Sequence, residues 1–188
     1  IAATHTHPGP ACHGFFNQRE DAYNAWLVGR IASVVDTARV GLQPAIAGHG
    51  VALENTISHY RRLLADDGHV VMNWEQFPEE RLRGPLGEAD PEVGVLKVVQ
   101  AAEPAKIIAL LFTHSGHPNV MSGDNLLISS DYPGHACRVL EETYDTIALF
   151  VNGAQGSVDI DGLRDRDWDG VARLGAKLAQ AVASAADG

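Results

Sequence analysis

The chain has 188 residues, of which 45% are hydrophobic and 20% charged, and this is the composition of one globular domain with an ordinary core. A formal net charge of -10 argues against nucleic acid or an anionic membrane surface as the main partner, because long-range repulsion opposes encounter. No apolar run reaches the roughly 18 residues that a membrane span needs. The two cysteines, Cys12 and Cys137, are too few for a disulfide framework and form no CxxC pair.

The opening IAATH reads as the last residues of a buried strand running into a loop, which predicts further sequence upstream. Residues 20–40 then carry Tyr23, Leu27, Ile31, Val34, Val35 and Ala38 at spacings of three and four, the pattern of a helix with one apolar face. Gly41 supplies the stop, with Pro44 beyond it. Short strands are expected at 45–47 and 69–73, the second preceded by the turn Asp66-Asp67-Gly68. Residues 74–91, rich in Pro, Gly and charged side chains, read as a long surface loop.

Residues 93–99 alternate well enough for a strand, and 106–113 (KIIALLFT) form the continuous apolar run of a central strand buried on both faces. A hairpin through 101–105 is the simplest connection between them. A helix is expected at 134–144, a second buried strand at 146–151 (TIALFV), and a closing helix at 168–186 with Val171, Leu174, Leu178 and Val182 facing inward. Strands alternating with helices predict an α/β or α+β fold, with a mixed central sheet and flanking helices in one domain over 1–188.

Three polar blocks fall at loops next to these strands. Thr4-His5-Thr6-His7 spaces two imidazoles to one side of an extended chain, and imidazole binds zinc at neutral pH without first losing a proton. Thr113-His114-Ser115-Gly116-His117 follows a buried strand, where a rigid sheet holds side chains that a loop exposes. Asn152 to Asp159 (NGAQGSVD) follows another, and its glycines allow backbone amides to approach an anionic group, or simply to make a turn. Arg61 and Arg62, read alone, are surface ion-pair partners for Asp66 or Asp67. Asp131, before a helical run, reads as ordering a loop or capping that helix, and His114 and His135 as structural.

Taken as an ordered set, ATHTHPGP (3–10), YRR (60–62), GHP (116–118), LLISSDYPG (126–134) and NGAQGSVD (152–159) resemble the neutral/alkaline ceramidase family. The resemblance implies a zinc-dependent amidase in which metal-activated water attacks the amide carbonyl. His5 matches the family's first zinc His and His117 its second, while His7 matches a neighbouring His used for proton transfer. Arg61 matches an Arg beside the substrate amide, where a fixed positive charge would stabilise a developing oxyanion.

Two departures shape the expectation. Pro8 stands where the family's HTHSGP motif has Ser, and Asp159-Ile160 stand where it has a catalytic Ser followed by Pro. Ser157, two positions earlier, would face the other side of an extended loop, so Asp159 is the candidate general base or the partner that steadies His7. The family's remaining Glu and Tyr ligands lie downstream of the Gly-rich loop, beyond residue 188. The expectation is therefore a catalytic-type piece lacking N-terminal strands and the C-terminal ligands. A second polypeptide would complete it, and a small-molecule amide would be its substrate. The competing reading is a non-catalytic binding module that keeps the fold.

Overall fold

The structure, a computed structural model, describes residues 1–14, 18–121, 125–160 and 166–188. In chain order the elements are α1 (Asp21–Val40), β1 (Ala45–Leu53), β2 (Ser58–Tyr60), β3 (Arg62–Ala65), β4 (Val70–Met72), a 3-10 turn at Glu79–Arg81, β5 (Leu82–Pro85), β6 (Glu92–Gln100), β7 (Ile107–His114), α2 (Asp131–Tyr144), β8 (Ile147–Asn152), β9 (Val158–Ile160) and α3 (Trp168–Asp187). The central sheet runs β1-β6-β7-β8. Its first two pairs are antiparallel and β7 with β8 is parallel, joined through α2. It is an α+β fold with a mixed sheet and three helices.

The core forms where alternate strand residues meet two helices. Val93, Val95, Leu110, Phe112 and Ala148 point to one face of the sheet, where they join Ala136 and Leu140 of α2 and Leu174, Leu178 and Val182 of α3. Asp167 starts α3 by accepting the Gly170 amide at 2.7 Å, an N-cap of the usual kind. The far end of α3 lies directly on β1. A Cβ at Gly50 would stand 2.0 Å from the Ala185 carbonyl oxygen, so only glycine permits that approach.

Two smaller sheets stand beside this core. β2 pairs with β9, while β3 lies between β4 and β5. The stretch expected as one long loop over 74–91 therefore contains β5 and the 3-10 turn. The strand expected at 45–47 runs on to Leu53, because β6 offers it nine residues of partner. The helices at the centre and end of the chain and the hairpin of β6 and β7 form as expected.

Burial departs from expectation in three places. Residues 1–5 form no strand, and all five are exposed. α1 forms at its expected place yet has no buried residue, and Val34 and Val35 of its apolar stripe are exposed, as is Trp26. Among the described residues, β7 and β8 are covered on one face only. On the other face Ile147 and Leu149 retain 58% and 50% of their surface, with Val51, Leu53 and Leu96 exposed on the neighbouring strands. Among the described residues, no helix is long and apolar enough to cross a membrane.

Candidate metal centre

The parallel pairing of β7 with β8 sets His114 against Asn152, so the loops that follow the two strands begin side by side. The Gly153 amide donates to the His114 carbonyl at 3.0 Å. A Cβ on Gly153 would lie 2.4 Å from the Ser115 hydroxyl, which explains the glycine. That amide is spent on the fold, so the expectation that this loop turns its amides towards an anion fails at Gly153.

The N-terminal segment crosses over both loops and is tied to each. The Asn152 side-chain amide donates to the Thr4 carbonyl at 3.1 Å, and the His7 amide donates to the Pro118 carbonyl at 3.1 Å. The Ser129 amide adds a bond to the Pro8 carbonyl at 2.9 Å. His5 sits in the left-handed region with φ 62, uncommon for a residue that has a Cβ.

These ties gather three imidazoles from two loops. One ring nitrogen from each of His5, His7 and His117 lies within 4.8 Å of the others. Ring centroids are 4.9 Å apart for His5 and His117, 5.3 Å for His5 and His7, and 5.6 Å for His7 and His117. Both rings of the N-terminal loop meet His117 nearly edge-on, at 86° and 83°. His117 is buried, while His5 and His7 are exposed.

The protonation pattern suits a cation. His117 Nδ1 donates to the Val158 carbonyl at 2.7 Å, which fixes the tautomer and leaves the lone pair on Nε2. Desolvation, then the neighbouring His117, then Arg61 hold His5 below the ordinary histidine range. For His7 the causes are desolvation, His117 and His5, opposed by the carboxylate of Asp159. Three imidazoles gathered within 4.8 Å, with His5 and His7 held below the ordinary histidine range, are a donor set that fits a zinc ion.

Arg61 and Asp159 complete the surroundings. Arg61 Nη1 lies 3.4 Å from His117 Nε2, and the guanidinium stacks over Trp74 at 5.2 Å. The ion pairs expected between Arg61 or Arg62 and the neighbouring acids do not form. Asp66 and Asp67 pair with Arg81 instead, because β5 brings that residue alongside their turn. Arg62 donates to the hydroxyl of Ser157, which keeps that serine occupied. Asp159 is buried on β9, accepts the Ile160 amide at 2.8 Å, and acts on His7 through its charge.

Asp131 orders a loop, as its sequence position implied. Its carboxylate accepts the amides of Val120, Met121 and Tyr132 at 3.2, 2.9 and 2.8 Å. His114 is buried behind the cluster, with Nε2 3.1 Å from the Ser58 hydroxyl. Trp74 and Asn73 were not singled out from sequence. Asn73 receives no hint from spacing, and Trp74 lies in the supposed loop. Asn73 nevertheless donates its backbone amide to Arg61 and its side chain to Ile160, next to Asp159. A cavity of about 540 Å³ opens beside Tyr60 and is lined in part by Glu54, Glu88 and Asp90; none of the three clustered His residues lines it.

No protein-family model and no curated protein sequence matches the chain. Among solved structures it is similar to neutral ceramidase from Pseudomonas aeruginosa, with a TM-score of 0.74 and 20% sequence identity. A structure of ceramidase complexed with C2 gives the same values. Each similarity covers 99% of this chain and 30% of the ceramidase chain. The chain therefore has a ceramidase-like fold over its whole length and spans under a third of the proteins it matches.

Proposed function

We propose that this chain, folded like the matched part of neutral ceramidase, is the histidine-bearing part of a zinc-dependent hydrolase that cleaves an N-acyl or other small amide. The observation that carries the reading is the convergence of His5, His7 and His117 from two separate loops. His5 and His117 hold the zinc, which when bound supplies Lewis acidity to a carbonyl or a water. A catalytic zinc takes about three protein ligands. On this reading the set is completed by polypeptide outside the chain.

His7 handles the proton. It is held neutral at pH 7 by its surroundings and has the buried carboxylate of Asp159 to favour its charged form once it accepts a proton. Arg61 offers a fixed positive charge beside the cluster, where oxyanion character develops as an amide carbonyl is attacked. Asp159 acts on His7 from β9 through its charge.

The test is elemental analysis with intact mass of the purified protein, followed by the same analysis on His5→Ala, His117→Ala and the double variant. Zinc near one per assembly, lost in the double variant together with amide hydrolysis, is the expected outcome. Full turnover by the double variant rejects the reading. His7→Ala separates its two possible roles: a proton carrier leaves zinc bound and removes turnover, whereas a ligand takes the zinc with it.

A second reading, a non-catalytic module on the same fold, draws on Asp159 standing where the family has its catalytic Ser. It predicts no stoichiometric metal and no hydrolysis of acyl-amide probes.

A further inference from the structure

The Arg61 guanidinium stands at an unusual place for a cation. Its Nη1 is 3.4 Å from His117 Nε2, the ring nitrogen that carries the lone pair, and its Nε is buried with no hydrogen-bond partner. Hydrogen bonding alone does not account for that pose. The ring of Trp74 does: the guanidinium carbon lies 5.2 Å from its centroid, within cation–π range. The backbone fixes the two residues in turn. The Arg61 amide donates to the Ser157 carbonyl at 2.9 Å, and the Asn73 amide, one residue before Trp74, donates to the Arg61 carbonyl at 2.8 Å. The Asn73 side chain then reaches the Ile160 carbonyl on β9 at 3.2 Å.

We infer that Trp74 is a positioning residue for the metal centre: its ring clamps the Arg61 guanidinium against His117, where it opposes cation binding and sets the affinity of the three-histidine cluster. The inference rests on the zinc reading above and adds a control on that site. A positive charge close to a divalent ion weakens its binding, and a guanidinium donating to His117 Nε2 competes for the same lone pair. Such a clamp keeps affinity below what the imidazoles alone would give. It also holds a charge ready for an anionic group that enters beside the ion.

The experiment is zinc titration of the folded protein by calorimetry, in wild type, Arg61→Ala, Trp74→Ala, Trp74→Phe and the Arg61→Ala/Trp74→Ala double variant. Removing Arg61 is expected to tighten zinc binding by about tenfold, the scale of one partly solvated charge near a dication. Trp74→Ala releases the guanidinium towards water and should recover much of that gain, while Trp74→Phe keeps an aromatic face and stays near wild type. The double variant should bind like Arg61→Ala alone, because the tryptophan acts only through the arginine.

Zinc binding in Trp74→Ala equal to wild type, or additive effects in the double variant, overturns the inference even if the protein binds zinc. A Trp74→Ala variant that is less stable but unchanged in affinity gives the tryptophan a structural role only and equally overturns it. Wild type that takes up no zinc, alone and in the assembly that completes the ligand set, defeats the functional reading and this inference together. The metal titration thus tells the two failures apart.

Discussion

His114 shows how one buried group ties the site to acidity. Burial pushes its pKa down to about 4, with Glu54 and Asp90 opposing the shift. Its folded-state pKa is thus below the unfolded value near 6.5, so the native state prefers the neutral ring. The resulting stability is fully present above about pH 6.5 and is lost as the pH falls through about 4, amounting to about 3 kcal/mol. Denaturant midpoints at pH 7 and pH 4.5 should therefore diverge in wild type, and His114→Gln should show a smaller acid loss. An equal loss in both proteins would show that His114 is not the titrating group. Asp131 makes a separate claim. Its carboxylate serves three backbone amides next to the core, and Asp131→Ala leaves all three without that acceptor. The expected cost is about 3 kcal/mol, read by chemical denaturation, and a loss below about 0.5 kcal/mol would deny the loop-ordering role.

At the scale of elements, the two 20-residue helices are chemically similar and energetically opposite. α3 buries Leu178 completely, so Leu178→Ala should cost about 2 to 5 kcal/mol. α1 buries nothing, and Val34→Asp should cost less than about 0.5 kcal/mol in the same denaturation series. Both helices were legible from sequence, because spacings of three and four reveal a stripe. The spacing cannot say whether anything covers that stripe, which is why α1 misled about its environment. KIIALLFT misled in the same way: a continuous apolar run marks a strand, and whether one face or two are covered depends on other elements. β2, β3, β5 and β9 escaped notice because three or four residues are too short for any period to emerge. The histidines of the site were legible because each pair follows an HxH or HxxH spacing next to a loop. Trp74 was not, since its role depends on β3 and β4 folding back to bring it over Arg61.

At the scale of the whole molecule, the sheet has one covered face and one open face among the described residues. α2 and α3 cover the first, while Val51, Leu53, Leu96, Ile147 and Leu149 leave the second apolar and open among the described residues. Parallel pairs such as β7 and β8 are usually covered on both sides, and soluble monomers rarely expose apolar patches of more than a few hundred Å². The same asymmetry holds at the histidine cluster, where His117 is buried and His5 and His7 are exposed. Site and sheet thus open together in a chain that spans under a third of the ceramidases it matches. An exposed apolar sheet face should bind the dye ANS in the folded state at neutral pH. Val51→Lys with Leu149→Lys should reduce that fluorescence strongly and leave the melting temperature within a few degrees of wild type, since both side chains are already half exposed. Unchanged fluorescence in the double variant would locate the dye elsewhere. A large loss of stability would mean that these side chains are packed against something, and that the face is closed in solution.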